Sequence, residues 1–152
     1  MKKKIVITGG LGYIGTELCK IYSGYSWNDN ITIIDNRFIS ERVNQIRNWN
    51  MNFVHGDILD KDLIKKHCQD ADVIHHLAGI TSVPRVKSDA NSENEKIIEE
   101  VGVVGTQNIL DVISNKCKII LPSSHVVYEG LTEVKKNIQE HEKTSPVLSY
   151  GK

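Results

Sequence analysis

The sequence predicts a three-layer α/β fold: a doubly wound parallel sheet with helices on both faces. Short runs rich in Ile and Val recur at Lys4 to Ile7, Ile31 to Ile34, Met51 to Val54, Val73 to Leu77 and Cys117 to Leu121, each closed within two residues by Gly, Asp or Pro. Helical patterns fill the gaps, at Tyr13 to Ser23, Glu41 to Trp49, Lys61 to Cys68, and from about Asn91 to Ser114. Strand alternating with helix implies right-handed crossovers between parallel strands. The runs are nearly continuous in apolar character, the pattern of strands covered on both faces. Ligands of such sheets bind beyond the carboxyl ends of the strands, so the residues just after each run are the candidates for function.

At 152 residues the chain is about the size of one domain, able to bury roughly two thirds of its unfolded surface. Residues 1–152 are therefore read as a single domain. Lys plus Arg and Asp plus Glu are both 19, so the balance offers no general attraction for nucleic acid or acidic membrane. The one compact basic run, Lys2 to Lys4, leads straight into the first strand and reads as its solvated entrance. No stretch approaches the roughly 20 apolar residues of a membrane span, and no apolar segment of a secretion signal follows the lysines. A soluble, cytoplasmic protein is expected. Cys19, Cys68 and Cys117 are odd in number and widely spaced, which favours buried free thiols over disulfides or a metal cluster.

The first strand runs into Thr8-Gly9-Gly10-Leu11-Gly12-Tyr13-Ile14-Gly15. Here the chain must turn sharply, let its backbone approach a pyrophosphate, and pack a helix closely on the strand it has left; Gly9, Gly12 and Gly15 suit these tasks in turn. The helix opening at Tyr13 and Ile14 points free N–H groups and its positive dipole end at the phosphates. Glycines also mark ordinary turns, but a position between strand and helix is the context a Rossmann-type dinucleotide cradle requires.

The second strand ends in Asp35-Asn36, with Asp35 twenty positions after Gly15, where a carboxylate can accept both adenosine ribose hydroxyls. A 2′-phosphate meets Asp35 as a like charge, which favours NAD over NADP; Arg37 keeps NADP open, since its guanidinium can swing towards that phosphate. Asp35 as a helix cap or turn residue is the plainer alternative. The third strand delivers Gly56-Asp57-Ile58, where Asp57 and Ile58 can hold the adenine by a carboxylate contact and an apolar wall, or Asp57 can cap the following helix. The fourth ends in His76-Leu77-Ala78-Gly79, and its small residues let a flat cofactor lie against Leu77, Ala78 and Gly79. His75 and His76, as strand neighbours, point to opposite faces and make a poor metal pair.

Together with Thr81-Ser82-Val83-Pro84, Gly105-Thr106, Ser123-Ser124, Val127-Tyr128 and Pro146 to Tyr150, these motifs resemble the extended short-chain dehydrogenase/reductase family, and within it the NAD-dependent nucleotide-sugar epimerases and dehydratases. The resemblance implies Ser124 as the hydroxyl that hydrogen-bonds the reacting sugar oxygen, Tyr150 as the general base, and Thr81 and Ser82 at the edge of the substrate. A tyrosine with pKa near 10 is a poor base at neutral pH unless positive charge lies near it. In the family that charge comes from the oxidised nicotinamide and from a lysine four residues after the tyrosine, one helical turn away. Tyr128 is mainly structural there. A homodimer is implied for the parent enzyme.

Four departures stand out. Lys152 lies only two residues beyond Tyr150, so the family's lysine is not in this sequence; the chain is expected to be C-terminally truncated, without a substrate domain, and inactive alone, with at most weak NAD binding. Ser124-His125-Val126 replaces the Thr-Asp-Glu of the dehydratases, which favours epimerisation or simple oxidoreduction. Gly102 stands where the family commonly has Asn. Val127-Tyr128-Glu129-Gly130 replaces Val-Tyr-Gly, with one residue inserted. His125, beside Ser124, is a proton donor or a solvent-facing loop residue.

Overall fold

A computed structural model describes residues 3–24, 30–81, 92–132 and 137–151. Five parallel strands, β1 (Ile5–Thr8), β2 (Ile31–Asp35), β3 (Asn52–His55), β4 (Val73–His76) and β5 (Lys118–Ile120), lie in the order β3-β2-β1-β4-β5. Helices α1 (Tyr13–Ser23), α2 (Ser40–Asn48) and α3 (Lys61–Cys68) connect the first four. Between β4 and β5 runs a helical rod of α4 (Ser92–Glu99), a π-helical turn (Glu100–Val104) and α5 (Gly105–Leu110). The doubly wound, Rossmann-type parallel sheet predicted from the alternation is present, and the strand order reverses between β1 and β4, which opens a crevice at their carboxyl ends.

The strand period of two divides the core. Ile5 and Ile7 of β1, with Ile31 and Ile33 of β2, pack against Cys19, Val43 and Ile46 of α1 and α2. Val6, Ile34 and Ile74 point the other way, onto Ile64 and Cys68 of α3 and Ile109 of α5. Each fully buried Ile contributes about 1.5–3 kcal/mol, so β1, buried at all four residues, anchors both layers. The expectation of strands covered on both faces fails at the margins. β3 has exposed ends and β5 alternates exposed and half-buried, because each lies at an edge of the described sheet.

The long predicted helix is one rod interrupted by the π turn, and it ends at Leu110, short of Ser114. Gly105 lies so close to Ile58 that a Cβ there would overlap its side chain, which brings α5 down onto the sheet. Cys19 and Cys68 are buried, and burial pushes each thiol up to about 12. Cys117 departs from the expectation: it is only half-buried, just before β5. Among the described residues no helix is long and apolar enough to cross a membrane.

Candidate dinucleotide site

The turn after β1 is fixed by contacts that leave no room for side chains. Gly9 has φ +69, and a Cβ there would lie 2.6 Å from Ala78 N on β4's extension. A Cβ on Gly15 would lie 2.5 Å from Gly9 O, so the first turn of α1 rests directly on the turn before it. Gly12 caps α1 with no side-chain hydrogen bond, and the first turn has no acidic residue. The positive end of α1 is therefore uncompensated, and it opens at the switch point of the sheet. Tyr13 and Ile14 are exposed at this opening.

Asp35 is buried at the end of β2, and its carboxylate is already engaged. Oδ2 accepts from Leu11 N at 2.9 Å, while Oδ1 accepts from Arg37 N at 3.0 Å and from Arg37 Nε at 3.2 Å. Asp35 thus ties the end of β2 to the glycine turn, with Arg37 covering its outer side. Arg42 of α2 braces the same turn by donating to Leu11 O. A side chain reaching back from the second helix carries no local sequence signal, and this brace was not foreseen.

The third loop resolves the two readings of Asp57 in part. Asp60 caps α3, accepting from Asp62 N at 3.1 Å and Leu63 N at 3.0 Å. Asp57 is therefore not the cap. It closes a turn by accepting from Leu59 N at 2.9 Å and takes a hydrogen bond from Asn36 Nδ2 at 2.9 Å, so Asn36 and Asp57 meet across the mouth of β2 and β3. Ile58 beside them is buried, and its carbonyl accepts from buried Asn108 of α5 at 3.0 Å. The pairing joins residues fifty positions apart, and no periodicity announces it.

The neighbouring histidines point to opposite faces. His75 Nε2 meets the Tyr22 hydroxyl of α1 at 2.8 Å, and burial lowers the imidazole's pKa while raising the phenol's. His76 lies among Thr8 at the end of β1, Ala78 and Thr106 of α5. Thr106 spends its hydroxyl proton on Gly102 O, so its 3.0 Å contact with His76 Nε2 requires the ring to donate there. Burial holds His76 neutral, its pKa lowered to about 4. Nδ1 is then an acceptor, the Thr8 hydroxyl donates to it at 2.7 Å, and Thr8 Oγ1 accepts from Ala78 N at 3.3 Å. Every proton in the chain has one consistent direction.

The catalytic candidates lie in two short 3₁₀ turns, His125–Tyr128 and Ser149–Gly151. Ser124 caps the first, its Oγ accepting from Val126 N at 3.4 Å, which leaves its own proton free to be donated. The turns pack together: a Cβ on Gly151 would lie 3.0 Å from Val126 O. Tyr150 is 37% exposed. Glu95 of α4 holds the second turn, with Oε2 accepting from Ser149 N at 3.2 Å and from its hydroxyl, while Oε1 is buried without a partner among the described residues. An open cavity of about 550 Å³ is lined by Ser123, Ser124, His125, Val127, Tyr128, Glu129, Ile138, Gln139 and Glu140. Ser124 and His125 face the same space as Tyr128, whose hydroxyl is directed at the carbonyls of Gln139 and Glu140 in the same lining. Leu77 and Ala78 border the crevice, Gly79 and Thr81 are exposed beyond it, and Ser82 lies outside the described residues.

The sequence profile of the 3-beta hydroxysteroid dehydrogenase/isomerase family matches residues 6–150. The chain is 31% identical over 149 residues to CDP-paratose 2-epimerase of Salmonella typhi, covering 90% of this chain and 41% of that protein. It is 34% identical over 135 residues to UDP-glucose 4-epimerase of Yersinia enterocolitica, covering 82% of this chain and 38% of the other. Among solved structures, UDP-N-acetylglucosamine 4-epimerase from Methanobrevibacter ruminantium M1 superposes with a TM-score of 0.76 at 27% identity, over 99% of this chain and 47% of that one. The chain spans about two fifths of the length of these curated relatives. With the glycine turn, Asp35 and the strand order in place, the chain belongs to the 3-beta hydroxysteroid dehydrogenase/isomerase family, within the short-chain dehydrogenases/reductases whose motifs it carries.

Proposed function

We propose that this chain is the cofactor-binding part of an NAD-dependent nucleotide-sugar epimerase, working by hydride transfer through a keto-sugar intermediate. The observation that carries the reading is the uncapped amino end of α1, presented over the Gly9 turn at the switch point, with Asp35 one strand away. A pyrophosphate there takes the free N–H groups of α1. Asp35 would hold the adenosine ribose, and Asp57 and Ile58, with Asn36 beside them, would hold the adenine. Leu77, Ala78 and Gly79 lie towards the nicotinamide end. A nicotinamide held there would supply the hydride acceptor and donor for the sugar carbon. Ser124 donates a hydrogen bond to the reacting oxygen, and Tyr150 takes its proton. The relatives are named as nucleotide-sugar epimerases, which supports this substrate class.

Arg37 makes the cofactor choice testable. Its guanidinium must leave Asp35 before a ribose can use that carboxylate, and it can then meet a 2′-phosphate. Calorimetric titration of NAD and NADP should show NAD the tighter ligand. Asp35→Ala should weaken NAD roughly 10- to 100-fold, the worth of a charge-assisted hydrogen bond. Arg37→Ala should weaken NADP more than NAD. Absence of binding by either dinucleotide sinks the cofactor reading. Intact binding with no interconversion of any UDP-, CDP- or GDP-sugar by the full-length protein sinks the epimerase reading alone.

A further inference from the structure

We propose that His76 is a positioning residue of the dinucleotide site, a neutral Nε2–H imidazole that sets the spacing between the Gly9 turn and the Leu77–Ala78 segment and fixes both to α5. The inference rests on the cofactor reading above and assigns a role to a group that the reaction itself does not use.

The geometry is specific. Gly9 and Ala78 approach so closely that a single Cβ would separate them, so a cofactor lying over both depends on their relative placement. β1 and β4 are in register at Thr8 and His76, and their ladder holds the backbones together up to the hydrogen bond from Leu77 N to Thr8 O at 3.0 Å. Beyond it, the chain from Ala78 N through Thr8 and His76 to Thr106 takes over. It ends on Gly102 O in the π turn, whose carbonyl is taken by the Thr106 side chain. Because each hydroxyl has one proton and the ring is neutral, only one tautomer satisfies all four contacts. The other tautomer leaves Nε2 without a proton for Thr106, whose own proton is already given to Gly102 O.

The test separates positioning from mere support. Nitrogen NMR of the ring at neutral pH should show a protonated Nε2 and a bare Nδ1. Thr8→Val and Thr106→Val should each weaken NAD binding about three- to tenfold in folded protein, and Thr106→Val should let both tautomers appear. His76→Asn, which keeps an acceptor facing Thr8, should bind NAD better than His76→Leu. A protonated Nδ1, or valine variants that bind NAD as the wild type does, overturns this inference alone. Failure of the wild type to bind either dinucleotide overturns it together with the cofactor reading. Should His76→Leu fail to fold, Thr106→Val, at a half-buried helix position, still decides the matter.

Discussion

The proposed cofactor side and the proposed catalytic side of the site are held in different ways. Around Gly9, backbone meets backbone at distances that exclude even a methyl group, and Asp35, Arg42 and His76 pin the turn from three elements. Around Ser124 and Tyr150, two 3₁₀ turns lean on each other and on Glu95 beside an open cavity. A phosphate cradle recognises a rigid group common to all dinucleotides, so it can be rigid itself. Substrate-facing turns carry their chemistry on side chains, and their backbone is less constrained.

The largest effect should come from breaking the rigid side. Gly9→Ala combines positive φ with a clash against Ala78 backbone, and should cost about 3 kcal/mol in urea unfolding along with NAD binding. A loss below about 1 kcal/mol would mean that the cradle yields as easily as the catalytic turns. Next comes pH. His76 ionises in the unfolded chain near 6.5 but in the folded one only near 4, so the stability it contributes is present above 6.5 and is lost as pH falls towards 4. By pH 5 the loss should be about 2 kcal/mol relative to pH 7. His75 titrates in the same direction, so the measure is the difference between wild type and His76→Gln. Equal slopes would show that His76 is no weak point.

Smaller changes sharpen the contrast within one loop. Asp60→Ala should cost about 1 kcal/mol by uncapping α3 and leave NAD affinity alone, whereas Asp57→Ala should weaken NAD with little change in helix stability. The reverse result would exchange the two assignments. The smallest effect should be a gain. Gly102 has open space around it, and Gly102→Ala should stabilise by roughly 0.5–1 kcal/mol in thermal or urea unfolding.

Features written in local spacing were legible beforehand. The Ile-rich cores of β1 and β2, the start of α1 at Tyr13, α3 at Lys61–Cys68 and the glycine turn all follow from residues within a few positions of one another. Features made by long-range pairing were not. Thr8 and His76 are 68 positions apart, Asn108 and Ile58 fifty, and Glu95 and Ser149 fifty-four. Each of these residues has an ordinary local reading, and only the crossovers that stack β1 against β4 and the rod against β3's loop give it a partner. The reading of Asp57 as a cap failed for a related reason: Asp60 stands before the same helix too, and backbone geometry alone makes it the cap.

The π turn at Glu100–Val104 is a change of phase in the rod. One residue more than an α-helix needs is absorbed there, so the two ends of the rod face their partners in registers about 100° apart from those an unbroken helix would give. Gly105, Asn108 and Ile109 are committed to the sheet, and Glu95 to the turn that carries Tyr150. Deleting a single residue such as Val103 should straighten the rod into uninterrupted α-helix and leave both ends facing their partners, whereas an unbroken α-helix with every residue kept would rotate Glu95 away from Ser149. The cradle and the tyrosine turn are thus clocked to each other by the π turn between them.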